Sequence, residues 1–281
     1  MSGKAKVAGV IGWPVGHSLS PVLHGFWLDA HKVDGAYVPL AVAPENLSIV
    51  LDGLRHSGFK GVNLTVPHKE AGFALVHETD EAAQIAGAVN LLIFGERGRL
   101  IGRNTDAMGL AASLRDANTN ITGAAAVLLG AGGAARAGVL ALDALGAKEI
   151  RILNRNISRA EATAASLAPK LKTRLTVGSL TDWPNAVHDS KLLLNTTSAG
   201  MKGNEALNLD LALLPNDAAV CDIVYNPLET DLLARAKARG LKTIDGLGML
   251  MYQAVPAFEA FYGVMPQVTP ELRRHLEAAL T

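Results

Sequence analysis

Hydrophobic positions along this chain come in short runs. VAGVI at 7–11, AYVPLAV at 36–42, GVNLTV at 61–66 and AVNLLIF at 88–94 read as strands, rich in β-branched residues. Between them the pattern switches to helical spacing: from about Pro21, over 45–56, across 67–86 as one helix or two, and over 107–117. RLIGRN at 99–104 adds a shorter segment. Continuous apolar strands alternating with helices predict a mostly parallel sheet covered on both faces.

The rhythm begins afresh at AAAVLLGAGGAARAGVLAL, residues 124–142, which reads as strand, turn and helix. EIRILNR (149–155), RLTVG (174–178), KLLLNTT (191–197), AAVCDIVY (218–225) and LKTIDG (241–246) follow as strands. Helices are predicted over 158–168 and 230–239, then at about 248–260 and 270–280. The chain therefore reads as two α/β domains. The first spans 1–106 with a mostly parallel sheet, and the second spans 107–247. The closing helices, about 248–281, are expected to pack back on the first.

Length and charge agree with this division. A chain of 281 residues suggests about two domains of roughly 100–200 residues each. Basic and acidic residues balance at 26 each, which leaves no electrostatic footprint for nucleic acid or an anionic membrane. No apolar run approaches the roughly 20 residues that span a bilayer. The few apolar residues after Lys4 and Lys6 stop at Gly12-Trp13-Pro14, too soon for a signal peptide. Cys221 is the single cysteine, set in an apolar run, so a buried thiol in a reducing cytoplasm is expected.

The candidate chemistry begins at the glycine-rich turn. Gly130, Gly132 and Gly133, with Ala131 and Ala134, follow a buried strand and open a helix. Such a turn lets backbone N–H groups approach a phosphate at a helix N-terminus. Ala135 stands where the GxGxxG pattern has its third glycine, and a second strand follows about 20 residues on, as a dinucleotide unit requires. A tight βα turn without ligand is the plain alternative. The end of the second strand then discriminates. NAD-binding units carry Asp or Glu there for the ribose 2′-hydroxyl. Here stand Asn154, Arg155 and Asn156, then Arg159. Two guanidiniums and no carboxylate suit a 2′-phosphate, although a solvated surface pair would show the same residues.

In the first domain, polar clusters fall after predicted strands, where open α/β sheets bind ligands. They are GHSLSP (16–21), NLTVPHK (63–69), Asn90 and NTD (104–106). Ser20 before Pro21 also reads as a helix N-cap, which leaves Ser18 unexplained. Thr105 or Asp106 likewise suits a cap, and Asn63 and Thr65 suit ordinary turn and strand positions. Lys69 is the odd residue. Pro67 predicts a helix start, so Lys69 falls in a first turn, at the positive pole of the helix dipole. Hydride transfer to or from an alcohol carbon needs a group that handles the hydroxyl proton. A lysine held by a carboxylate such as Asp106 supplies one, with neutral hydroxyls and amides around a polyhydroxylated acid. His24 and His31 lie seven apart on one helix face, and the remaining histidines form no ligand motif, so no metal is expected.

Taken in order, SLS (18–20), NLTVPHK, GAVN (87–90), NTD, GAGGAA (130–135), NRNISR (154–159), NTTSAGM (195–201), DIVYNPLET (222–230) and DGLGMLMYQ (245–253) closely resemble the shikimate dehydrogenase family over nearly the whole chain. The resemblance implies NADPH-dependent reduction of 3-dehydroshikimate to shikimate in aromatic amino-acid biosynthesis. It also implies a substrate domain, a Rossmann domain and an active site in the cleft between them, in a monomer or homodimer. It makes Lys69 the acid–base residue and Asp106 its partner. The implied substrate shell is Ser18, Ser20, Asn63, Thr65, Asn90, Asp106, Tyr225 and Gln253. The implied NADP shell is Gly130 to Ala134, Asn154 to Arg159, Thr196, Ile223, Gly246 and Met249, with Glu81 more peripheral. Two positions depart from the family pattern. Leu91-Leu92 follow Asn90 where the family more often has Thr-Leu, and Asn156 stands where it more often has Thr, which removes a hydroxyl near the 2′-phosphate. A quinate/shikimate dehydrogenase using NAD is the near alternative. A dinucleotide-sensing protein without catalysis is the distant one, and it would have no need of both Lys69 and Asp106.

Overall fold

The computed structural model describes residues 1–280. In chain order the strands and helices are β1 (Lys6–Gly12), α1 (Ser20–Ala30), β2 (Gly35–Ala41), α2 (Leu47–His56), β3 (Phe59–Leu64), α3 (Lys69–Leu75), β4 (Glu78–Thr79), α4 (Glu81–Ala86), β5 (Leu91–Phe94), β6 (Leu100–Arg103), α5 (Asp106–Asp116), β7 (Ala125–Leu129), α6 (Gly133–Ala144), β8 (Glu149–Leu153), α7 (Ile157–Leu167), β9 (Arg174–Gly178), α8 (Trp183–Val187), β10 (Ser190–Asn195), β11 (Ala219–Asp222), α9 (Asp231–Ala238), β12 (Lys242–Ile244), α10 (Leu247–Tyr262) and α11 (Pro270–Ala278). The short helix α8 lies in a stretch that carries no clear helical period. Two compact units emerge: Met1–Thr105 with Gln253–Ala279, and Asp106–Tyr252.

The first unit is built on a six-stranded sheet of order β2-β1-β3-β5-β6-β4. β2, β1 and β3 run parallel, whereas β5 is antiparallel to both β3 and β6. The sheet is therefore mixed, and the reason is local. Only residues 95–99 join β5 to β6, too few for a parallel crossover but enough for a hairpin. One face is sealed by Ile11, Leu47, Leu51, Val62, Leu64 and Leu92. Toward α1, Trp27, Phe258, Phe261 and Tyr262 pack with His24 and Tyr37. Polar ties hold the C-terminal segment to this sheet: the Tyr262 hydroxyl donates to Ala36 O at 2.9 Å, Lys6 Nζ to Tyr262 O at 2.6 Å and Trp27 Nε1 to Gln267 O at 3.1 Å.

Two expected starts differ. α1 begins at Ser20 with Leu19 as its N-cap and no side-chain cap bond. Ser20 is therefore inside the helix rather than capping it. α3 begins at Lys69, not at Pro67. Residues 65–68 form a separate turn instead, closed by His68 N–H donating to Thr65 O at 2.8 Å, with a cis Val66–Pro67 bond inside it. The buried His68 ring holds this turn, its Nε2 2.8 Å from Val42 O.

The second unit carries a fully parallel sheet of order β12-β11-β10-β7-β8-β9. Every residue of β7 is buried, as a central strand covered on both faces demands. The order reverses direction between β7 and β10, the switch point at which doubly wound sheets leave a crevice beyond their strand ends. Val127, Leu129, Leu193, Val220 and Leu233 anchor the core on one side. Cys221 lies within β11, 1% exposed, and burial pushes its thiol pKa up.

Candidate active site

Polar groups of the first unit gather at the carboxyl ends of β1 and β3. The loop after β1 leads through Ser18, whose Oγ accepts from Ser20 N–H at 3.3 Å. β3 ends on Asn63 and Leu64, and Thr65 N–H donates to Ile11 O at 2.9 Å, which draws the two strand ends together. Lys69, half-buried, is the first residue of α3, and its carbonyl accepts from Val89 N–H at 2.9 Å. The strand-end turn thus anchors the lysine backbone next to Asn90, although the dipole of α3 disfavours a cation there.

A hydrogen-bonded chain joins several of these residues. The Tyr37 hydroxyl donates to Asn63 Oδ1 at 2.8 Å. Asn63 Nδ2 donates to Asn90 O at 2.9 Å. Asn90 Nδ2 donates to Thr105 Oγ1 at 2.9 Å and to Gln253 Oε1 at 3.1 Å, and Asn90 Oδ1 accepts from Thr105 N–H at 2.8 Å. The Thr105 hydroxyl donates to Gln253 O at 2.9 Å. Ser20, Asn63, Asn90 and Thr105 are each under 9% exposed. This is a largely buried set of neutral donors and acceptors, the kind that orients a small polyhydroxylated ligand. Tyr37 was not singled out in the sequence, and Thr105 was read there only as a possible cap. Thr105 sits inside the NTD motif, so a signal existed, whereas nothing local marks Tyr37.

Asp106 and Tyr225 belong to the second unit. Asp106 opens α5 and is 5% exposed. Tyr225 lies half-buried in the segment after β11. Most of the dinucleotide candidates also lie in this unit, around the switch point. Gly130 directly follows β7 with φ +114°, a value open to glycine, and its N–H donates to Leu153 O at 3.0 Å. Thr196, just past β10, donates through both N–H and Oγ1 to Leu129 O, at 3.0 and 2.6 Å. α6 then starts at Gly133 with Gly132 as N-cap and no side-chain cap bond. A Cβ on Gly133 would meet nothing within 4 Å, and one on Gly132 would meet only Arg159 Nη2, at 3.5 Å. The turn is thus an open cradle at the N-terminus of a 12-residue helix, suited to a pyrophosphate.

At the end of β8, Asn154 Nδ2 donates to Asn156 O at 2.8 Å, and Asn156 Oδ1 caps α7 by accepting from Arg159 N–H at 3.1 Å. Asn156 therefore performs a cap, a role that a threonine would share. Arg155 and Arg159 are exposed. Gly246 approaches the chain so closely that a Cβ there would lie 2.0 Å from Ile223 O, so its identity follows from backbone packing. Ile223 and Met249 are half-buried nearby in sequence. Glu81 is the one dinucleotide candidate on the first unit, exposed at the start of α4.

One buried acid escaped the sequence reading. Asp222 ends β11 with no exposure, and accepts from Asn195 Nδ2 (2.9 Å), Val224 N–H (3.1 Å) and Thr230 Oγ1 (2.8 Å). Burial pushes its pKa up to about 6. It fastens the segments that carry Thr196 and Ile223. Among the described residues, no group of three or more His, Cys, Asp or Glu is arranged to hold a metal ion, and no helix is long and apolar enough to cross a membrane.

Residues 10–92 match the family model of the shikimate dehydrogenase substrate binding domain, and residues 111–211 that of shikimate/quinate 5-dehydrogenase. A shikimate dehydrogenase (NADP(+)) of Paramagnetospirillum magneticum is 53% identical over 275 residues, covering 97% of this chain and 98% of that protein. Among solved structures, a shikimate dehydrogenase in complex with NADP+ superposes with a TM-score of 0.92 at 36% identity, covering 100% of this chain and 98% of the other. The Thermus thermophilus shikimate 5-dehydrogenase in complex with NADP(H) and shikimate gives 0.84 at 37% identity, with 98% of each chain covered.

Proposed function

This chain belongs to the shikimate dehydrogenase family, and we propose here which of its residues carry out the reaction. It is an NADP-dependent oxidoreductase that interconverts 3-dehydroshikimate and shikimate. The open glycine cradle at the start of α6 and the two exposed arginines after β8 fit the cofactor's pyrophosphate and 2′-phosphate. NADPH supplies the hydride that reduces the substrate carbonyl. The cofactor shell in this reading is Gly130 to Ala134, Asn154 to Arg159, Thr196, Ile223, Gly246 and Met249, with Glu81 at its edge.

Lys69 acts as the acid–base residue. Its ammonium gives a proton to the carbonyl oxygen during reduction, and its amine takes that proton back in the reverse direction. Asp106 serves as its partner and orients the ammonium. Ser18 and Ser20 hold the substrate carboxylate, while Asn63, Thr65, Asn90, Tyr225 and Gln253 hold its hydroxyls. The observation that carries the reading is the hydrogen-bonded chain from Tyr37 through Asn63 and Asn90 to Gln253, which links three residues of this substrate shell.

The test is steady-state kinetics of Lys69→Ala. Turnover should fall at least about 100-fold, the lower end of general acid–base contributions, with the shikimate KM changing far less. A variant with near-normal turnover removes Lys69 from the chemistry.

A further inference from the structure

We propose that Tyr37 is a positioning residue for shikimate: its hydroxyl holds Asn63 in its binding orientation without touching substrate. The inference rests on the role of Asn63 proposed above. Tyr37 stands in β2, one strand out from the β1 and β3 ends that carry the site. Its ring is 8% exposed and lies flat on His24, with centroids 3.9 Å apart and planes 4° from parallel. His24 follows Ser20 by one helical turn on α1. The stack therefore sets where the phenol oxygen sits relative to Ser20.

At the other end of the ring, the hydroxyl donates to Asn63 Oδ1 at 2.8 Å, while Asn63 Nδ2 donates to Asn90 O at 2.9 Å. An amide can occupy its plane in two ways that differ only by exchange of O and N. The Asn90 carbonyl can only accept, so it fixes Nδ2 at one end of the amide and leaves Oδ1 facing Tyr37. The Tyr37 hydroxyl then donates to that oxygen and holds it in place. Without the hydroxyl, the Oδ1 end of Asn63 loses its anchor while Nδ2 keeps its own. The phenol is suited to this task, since burial pushes its pKa well above the ordinary range and keeps the hydroxyl a donor throughout the working pH.

The experiment is a double-mutant cycle on shikimate oxidation, with Tyr37→Phe, Asn63→Ala and the double variant. Phenylalanine keeps the ring on His24 and removes only the hydroxyl. The shikimate KM of Tyr37→Phe should rise roughly 3- to 10-fold, the worth of one net hydrogen bond. Turnover and the NADP KM should stay near wild type. In the Asn63→Ala background the same substitution should add less than about twofold, because the two residues act as one unit. A KM does not depend on the fraction of active protein, so partial unfolding of a variant leaves the readout intact. An Asn63→Ala variant with raised KM beside a Tyr37→Phe variant with normal KM overturns the proposal and leaves the substrate shell standing. A normal KM in Asn63→Ala also overturns it, by showing that Asn63 does not serve the substrate at all. A fully additive cycle assigns Tyr37 to packing and likewise overturns it.

Discussion

Removing Arg155 gives the sharpest test of how this chain recognises its cofactor. Arg155 follows β8 and Arg159 lies in the first turn of α7, its Nη2 directed toward the glycine cradle. Neither guanidinium has a hydrogen bond or ion pair to another side chain among the described residues, so their charge is uncommitted. A 2′-phosphate brings about two negative charges at neutral pH, where NAD offers a hydroxyl. A charge-assisted hydrogen bond is worth roughly 1.5–3 kcal/mol, or one to two decades in affinity. Both side chains are exposed, so solvent screening places the effect at the lower end of that range. Arg155→Ala should therefore weaken kcat/KM for NADP by at least about tenfold and leave that for NAD within about twofold. The wild-type preference should also shrink as salt rises, because the Debye length falls from about 10 Å at 0.1 M to about 3 Å at 1 M. The assay follows nicotinamide absorbance with saturating shikimate, both cofactors and two ionic strengths. Equal loss with NADP and NAD would refute the clamp, as would a preference for NADP indifferent to salt.

Two further substitutions probe other parts of the same argument. His24 is fully buried, and burial lowers its pKa from 6.5 to about 3. The unfolded chain therefore takes up a proton first, and this group's contribution is complete above pH 6.5 and is lost progressively down to about pH 3. His24→Phe should gain on the wild type by about 1 kcal/mol at pH 5.5 and about 3 kcal/mol at pH 4.5 relative to pH 7.5. Urea melts at the three pH values check this, and parallel pH profiles would contradict it. In Gly130→Ala, the new methyl would sit at φ +114° and 2.7 Å from Thr196 Oγ1, which is itself bonded to Leu129 O. Strain of this kind costs about 1–3 kcal/mol. Thermal melts should show that loss, and the NADP KM should rise at least about tenfold while the shikimate KM stays close to normal.

How much could be read before folding depended on the range over which each feature is decided. The glycine turn between β7 and α6 was legible because its causes are local. A strand end, a backbone conformation that favours glycine and an uncapped helix start all fall within Leu129–Gly133. The lack of a carboxylate after β8 was legible for the same reason. The burial of β7 was legible from its unbroken apolar run AAVLL, since a strand covered on both faces has no polar alternation to maintain.

Other features depended on partners far along the chain. Ser20 next to Pro21 carries the local signature of a cap, but the chain enters α1 with Leu19 already helical and with no side-chain cap bond. Tyr37 meets Asn63 across 26 positions, and Asn90 meets Gln253 across 163. Periodicity reports which face of an element is buried, yet it is silent on which buried hydroxyl finds which amide. That pairing is set when strands come into register and a polar group must be satisfied or pay its desolvation cost. Sequence alone determined the kinds of groups available and the elements that carry them. Tertiary packing decided that Tyr37, a residue with no motif, meets Asn63, because only the assembled sheet sets the phenol hydroxyl at one end of that amide and the Asn90 carbonyl at the other.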